Sequence, residues 1–285
     1  MKYLLKFFGF LLRTALMGLL LGCLALLGLY FYLEPMLPSI DDLQEVRLQV
    51  PLRVYSRDAK LMAEFGEQRR IPLAIDQIPD RMVEAFLAAE DDRFFEHPGV
   101  DYQGLLRAAT QLALTGEKTQ GGSTITMQVA RNFFLTREKT YTRKLNEILL
   151  ALKIERQLSK AQILALYLNK IYMGNRASAE VYYGKPVGEL SLAETAMIAG
   201  LPKAPSRFNP IADPERALQR RDYVLGRMAK LGFIDAQAYQ SARAAPVTAR
   251  LHATNTELDA PYVAEMARAE MLERYGEDAY TGGYR

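Results

Sequence analysis

The sequence predicts a mainly α-helical body carried on one membrane-crossing helix, with a short β neck between the two. Three observations carry that expectation. Thr14 to Leu33 contains no charged residue, and at ~1.5 Å per residue such a run spans about 30 Å of hydrocarbon. From Asp80 onward apolar residues recur three and four apart, the spacing of one helix face. Beyond Phe65 no run of alternating or β-branched residues matches the strength of those helical segments.

Lys2, Lys6 and Arg13 precede the apolar run and Glu34 is the first charge after it. The positive flank is therefore expected to stay in the cytoplasm, with everything from Pro35 onward outside. Tyr30 and Tyr32 fit an aromatic belt at the outer interface. Leu20-Leu21-Gly22-Cys23 offers a second reading, a lipoprotein acylation site, but the chain stays apolar well past Cys23.

Cys23 is the only cysteine, which excludes an intrachain disulfide and any multi-cysteine metal site. Stability outside the cell must come from packing, and 49% hydrophobic residues supply a core for one large domain or two small ones. A net charge of +3 with locally clustered basic residues, on an outward-facing chain, argues against nucleic acid as a partner.

The neck is expected as a hairpin within Leu48 to Phe65, turning at Arg57-Asp58-Ala59-Lys60. Met82, Val83, Phe86 and Leu87 mark one amphipathic helix, and Leu105, Leu106, Ala109 and Leu112 another. A helix opening near Thr140 carries Ile148, Leu149, Leu152 and Ile154. Ser159 is the expected N-cap of a helix over Ala161 to Tyr172, with Gly174 as its stop. Later helices are expected at Leu192 to Ala199, Pro214 to Lys230, Asp235 to Arg243 and Ala264 to Tyr275. The divisions that follow are a cytoplasmic tail over 1–13, the membrane helix over 14–33, the neck over 34–72, the main domain over 73–245 and a linker helix within 246–285.

Two segments carry candidate chemistry. Glu90 opens Glu-Asp-Asp-Arg-Phe-Phe-Glu-His-Pro-Gly at the end of an apolar helix, where Pro98 and Gly99 impose a turn. A carboxyl group there, beside like charges and aromatic rings, is pushed toward its neutral form and so toward use as a base; a solvated acidic loop is the alternative. His97 reads as a turn-fixing partner, and with His252 the only other histidine no Ser-His-Asp arrangement is available. The second segment is Gly121-Gly122-Ser123-Thr124 running into Ile125, Met127 and Gln128, a loop entering a helix with Ser123 as N-cap and free N–H groups that suit an anion. By itself it is equally a plain loop and cap. Arg131, Lys139, Arg143 and Lys144 add positive charge that could hold a diphosphate. Arg143 and Glu147 stand four apart on one face, a spacing that a surface ion pair would also explain. The apolar runs Leu112 to Leu114 and Phe133 to Leu135 beside these cations are either core or a surface that dips into the outer leaflet. Together the segments pair a base with an anion clamp, able to activate a hydroxyl while neutralising a phosphate leaving group.

The order and spacing of these segments resemble the peptidoglycan glycosyltransferase domain, glycosyltransferase family 51, of class A penicillin-binding proteins. Glu90-Asp91 to Gly99 is similar to the family's first box, Gly121 to Gln128 to the second and Arg143-Lys144-Leu145-Asn146-Glu147 to the third. Lys160 to Asn169 is similar to the fourth, and Arg207-Phe208-Asn209-Pro210 with Arg220 and Val224-Leu225 to the fifth. The resemblance implies a lysozyme-like helical body with a small membrane-facing jaw, anchored in the bacterial inner membrane with the catalytic domain in the periplasm. It implies lipid II and the growing glycan chain as substrates, with cell-wall synthesis proteins or outer regulators as further partners.

Carried over by position, the resemblance makes Glu90 the base and assigns Glu147 to orienting the donor-site cations Arg131 and Lys139, or a metal. Asp91, Ser123, Thr124, Gln128, Arg143, Lys144, Asn169 and Arg220 are the implied substrate-binding positions. No cofactor is implied beyond a divalent cation such as Mg²⁺, which the sequence leaves open. Three departures stand out: Met127 replaces a glutamine of the second box, Ala165 replaces a glutamate of the fourth, and the segment between Arg176 and Tyr182 is shorter than the family's. A lysozyme-like glycan hydrolase and a non-catalytic cell-wall scaffold are the competing readings. The class A transpeptidase signature includes Ser-x-x-Lys and Lys-Thr-Gly; neither occurs, and Thr281 to Arg285 reads as a strand about to begin, so the sequence is expected to be truncated before such a domain. A labelled β-lactam should leave this chain unmodified, and a labelled band on a gel would contradict that expectation.

Overall fold

The computed structural model describes residues 2–40, 52–65, 75–116, 122–135, 141–170, 179–252, 258–276 and 279. Helix α1 (Lys2–Leu33) ends in a short 3₁₀ turn at Glu34–Met36, where Pro35 at the start of the turn supplies a preset φ and needs no hydrogen bond. Leu37 and Ile40 then enter the same buried core as the main helices. Lys153 Nζ donates to the Pro38 carbonyl at 3.1 Å, so the tether is fastened to the body directly. Among the described residues no helix is long and apolar enough to cross a membrane; within the apolar run of α1 the side chains at 19, 23, 25–27, 29 and 30 lie outside the description.

The neck is a two-stranded antiparallel hairpin of β1 (Leu52–Tyr55) and β2 (Leu61–Phe65). Val54 sits opposite Ala63 and a bulge follows at Tyr55. Ser56 closes the turn: its hydroxyl donates to Asp58 Oδ1 at 2.6 Å and accepts from the Lys60 N–H at 3.1 Å. The expected linker helix folds back onto this hairpin. Leu258 N donates to Leu61 O at 3.1 Å, Ala264 is buried, and the Arg268 guanidinium lies 5.7 Å from the Phe65 ring centre.

The body is built from α2 (Asp80–Glu90), α3 (Tyr102–Thr115), α4 (Ile125–Phe134), α5 (Tyr141–Gln157), α6 (Lys160–Lys170), α7 (Ala179–Tyr183), α8 (Leu192–Gly200), α9 (Pro214–Lys230) and α10 (Ala236–Ala244), followed by α11 (Pro261–Tyr275). α8 is the centre. Every residue from Ala193 to Gly200 is buried, and the helix packs between α2 and α9 while α4 packs on α5 and α6. Such an all-round apolar helix gains little from amphipathicity, so its start is fixed by caps: the Ser191 side chain accepts from Glu194 N while Glu194 reaches back to Ser191 N at 2.8 Å. Asp213 and Asp235 cap α9 and α10 one way, their side chains accepting from Arg216 N and Ala238 N, each cap stabilising its helix by about 1 kcal/mol. α9 stops at Gly232, whose φ of 77° permits the Phe233 N to Met228 O closure at 3.0 Å.

Under the site, the Phe86 and Tyr167 rings meet edge to face at 6.0 Å and 87°, joining α2 to α6. Truncating a buried ring of this kind costs about 3–5 kcal/mol. Arg221, buried on the other side of α9, donates to the carbonyls of Arg243 at 2.7 Å and Ala245 at 2.6 Å, which satisfies the end of α10.

The helices expected over 80 onward form, with Pro214–Lys230 at its expected bounds and the others within a few residues. The cap before α4 differs from expectation. Thr124, not Ser123, takes the extended N-cap conformation and accepts from Met127 N, because the Ser123 hydroxyl is held by Lys144 Nζ at 2.9 Å. Ser159 does accept from Gln162 N at 3.3 Å, whereas Gly174 and most of the short segment before Tyr182 lie outside the described residues.

The two apolar runs part company. Phe133, Phe134 and Leu135 pack against the core, while Leu106 and Leu114 on α3 are 71% and 81% exposed. Leu106 and Leu114 therefore face outward, and the side chains of Ala109 and Leu112 lie outside the description.

Candidate active site

α2 ends at Glu90, and its end is tied to the start of α4 through Asp91. The buried Asp91 carboxylate accepts from the Ile125 N–H at 2.9 Å and meets His97 Nε2 at 3.0 Å. An anion at that helix start is favoured by the exposed N–H groups. His97 thus fixes the turn, as the sequence indicated. Gly99 makes the turn fit: its φ is 90°, and a Cβ there would come within 2.8 Å of Ala151 O. The Gly99 carbonyl in turn accepts from Thr124 Oγ1 at 2.5 Å.

These ties set one wall of a cavity of about 400 Å³. Glu90, Asp91, Ser123, Thr124, Gln128, Arg131 and Arg220 all line it. Glu90 Oε2 accepts from Gln128 Nε2 at 3.0 Å and Oε1 from Arg220 at 3.1 Å. Burial pushes the Glu90 carboxyl above its ordinary value, an effect only partly offset by Arg220, Gln128, Lys203 and Arg131 in that order. The solvated-loop alternative is therefore excluded for Glu90. A carboxyl group whose pKa is raised by desolvation, beside a guanidinium that partly offsets the rise, is suited to accept a proton from a bound hydroxyl.

Glu147 does not line the cavity among the described residues. It sits behind the wall, 1% exposed, where one oxygen accepts from Arg143 and the other from Lys144 Nζ at 2.9 Å. The same Nζ donates to Ser123 Oγ, so the carboxylate reaches the cavity through a lysine and a serine. This is a buried cluster and not a surface pair. Asn169 lies apart, its amide donating to Ala165 O of its own helix at 2.9 Å, and Lys139 falls outside the described residues.

Among the described residues no group of three His, Cys, Asp or Glu side chains is placed to hold a metal ion. The donor set explains why the implied divalent cation does not fit here. Both Glu147 oxygens face cations, Asp91 is engaged by His97 and Ile125, and Asp92 accepts from Arg227 at 2.6 Å.

Sequence reasoning missed Lys203, Tyr223 and Arg227, which line the cavity opposite α4. Tyr223 and Arg227 follow Arg220 three and seven residues on, a spacing that places them on the same face of α9; that periodicity was a usable signal.

Arg220 is itself positioned by a close approach. Its Nε donates to Gly200 O at 3.2 Å, and a Cβ on Gly200 would meet Arg220 Cγ at 2.8 Å. Gly200→Ala should displace the guanidinium from Glu90. Since Arg220 is the strongest influence lowering the Glu90 pKa, the acid limb of the pH–rate profile should move to higher pH, and an unchanged limb would show that Arg220 tolerates the methyl.

This architecture and cavity belong to a family of sugar-transferring enzymes: the chain is a member of the transglycosylase family, whose pattern matches residues 58–229. Several of its relatives are named penicillin-binding protein 1A. That of Pseudomonas aeruginosa is 57% identical over 287 residues, covering 99% of this chain and 34% of the relative. That of Escherichia coli is 51% identical over 285 residues, covering 98% and 34%. A crystal structure of penicillin-binding protein 1A from Haemophilus influenzae matches at 34% identity with a TM-score of 0.48, over 84% of this chain and 26% of that one. The chain spans about a third of the length of the curated relatives it matches.

Proposed function

We propose that the chain polymerises lipid II into β-1,4-linked glycan, with inversion and release of undecaprenyl diphosphate. The observation that carries this reading is the desolvated Glu90 carboxylate, held by Arg220 and Gln128 in a cavity that Arg131 also lines. Glu90 takes the proton from the 4-hydroxyl of the acceptor N-acetylglucosamine. The freed oxygen attacks C1 of the donor N-acetylmuramic acid, the C1–O bond to phosphate breaks, and the α-linked donor becomes a β-linkage. Arg131 and Lys144, with Lys139 by family position, meet the charge that develops on the departing diphosphate. Glu147 orients Arg143 and Lys144 against that charge.

The uncharged run within α1 anchors the domain in the bacterial inner membrane with the body in the periplasm, and the exposed apolar face of α3 brings the cavity to the leaflet that carries the lipid-linked donor. A glycan hydrolase would share the base but would need no cationic wall. The two readings separate by substrate: the purified chain should consume lipid II and leave polymeric glycan uncut, with or without Mg²⁺. Release of sugars from finished glycan, with lipid II untouched, would overturn the transferase reading.

A further inference from the structure

The cavity has two walls of different chemistry. On the α4 side, Arg131 lines the cavity and makes no side-chain hydrogen bond to another described residue. On the α9 side both guanidiniums are already neutralised, Arg220 by Glu90 at 3.1 Å and Arg227 by Asp92 at 2.6 Å. Lys203, from the turn after α8, adds a cation to that side of the lining, so it is the face of α9 itself, with both its cations paired, that suits a neutral group.

Tyr223 stands on that face of α9 between Arg220 and Arg227, and it is the one aromatic residue lining the cavity among the described residues. It is 49% exposed in a body whose other large rings beneath the site, Phe86 and Tyr167, are fully buried. The Arg220 guanidinium lies 4.6 Å from the ring centre. Because Arg220 is pinned by Glu90 and by Gly200 O, the ring rests against a fixed cation. An exposed aromatic surface held beside a base, on a helix face whose two cations are already paired, has the form of a platform for the apolar face of a sugar ring.

We propose that Tyr223 is a binding residue for the acceptor sugar, stacking the pyranose whose 4-hydroxyl is presented to Glu90. The ring supplies the apolar contact, and the Asp92–Arg227 pair beside it offers polar groups to the sugar's hydroxyl and acetamido substituents. This assignment rests on the transferase reading for its chemistry, but its binding test does not depend on turnover.

The test is calorimetric binding of a soluble tetrasaccharide of alternating N-acetylglucosamine and N-acetylmuramic acid to the wild-type chain, Tyr223→Ala and Tyr223→Phe, with melting temperatures measured in parallel. Tyr223→Ala should weaken binding about tenfold, and Tyr223→Phe should restore it, since the ring and not the hydroxyl makes the contact. Melting temperatures should stay together, as the side chain is half exposed. In polymerisation assays the alanine variant should raise KM for lipid II with little change in kcat. Equal tetrasaccharide affinity in wild type and Tyr223→Ala overturns the platform, as does no measurable affinity in the wild type; a loss shared equally by the phenylalanine variant would assign the role to the hydroxyl and overturn it too. Failure of the transferase reading shows elsewhere, as absence of lipid II turnover by the wild type.

Discussion

Glu90→Gln should lower the rate of lipid II polymerisation by about a thousandfold, within the range contributed by a positioned general base. Glutamine keeps the size of the side chain and can still meet Arg220 and Gln128 through its carbonyl oxygen, so what is lost is the ability to take a proton. The wild-type rate should fall on the acid side with an apparent pKa above the ordinary glutamate value of 4.5, because burial raises it. The consequence for stability has the opposite sign to that of most paired carboxylates. A group whose pKa is higher folded than unfolded stabilises the fold below its unfolded value, and that contribution disappears as pH rises through the folded value. At neutral pH the ionised Glu90 is thus a burden on the fold. The glutamine variant should melt no lower than the wild type at pH 7, while at pH 4 the wild type should close any gap. A variant that retains polymerisation would remove Glu90 from the reaction, and one that melts well below the wild type would make the loss of rate a folding effect.

The helices were legible in the sequence where apolar spacing was strong: α8 and α9 start at Leu192 and Pro214 as expected, and the structure adds the Ser191–Glu194 and Asp213 caps that fix those starts. Ser123 misled because two adjacent hydroxyl residues can each cap a helix, and the choice between them is made by Lys144 from twenty-one residues away. The α3 pattern left its surroundings open, because periodicity reports that a helix has an apolar face, not which surroundings that face meets. Leu106 and Leu114 meet no core.

The candidate site followed the same division. Glu90, Gln128, Arg131 and Arg220 could be named from ordered boxes, but their convergence depends on contacts across long sequence separations, such as Arg220 to Glu90. Tyr223 escaped notice because a tyrosine three residues along a helix from an arginine is unremarkable until one knows which face lines a cavity. The burial of Glu147 was hidden as well, since an i,i+4 Arg–Glu pair looks the same in sequence whether it lies in water or beneath a wall.

That burial gives the other large effect. Glu147→Ala should cost about 3 kcal/mol of stability, because it leaves the mostly buried Arg143 cation without its carboxylate partner. At about 2–4 °C per kcal/mol for a chain of this size, the melting temperature should fall by roughly 6–12 °C. Activity should fall further than stability explains. Without the carboxylate, Lys144 loses the partner that aims it at Ser123, and the cationic wall meets the diphosphate less well oriented. Glu147→Gln separates the two effects: it keeps an acceptor for the cations, so most of the melting temperature should return while the rate stays depressed. If Glu147 instead acted by holding a divalent ion, raising the Mg²⁺ concentration would rescue the glutamine variant. The geometry argues against such rescue, since both oxygens of the carboxylate are already turned toward Arg143 and Lys144.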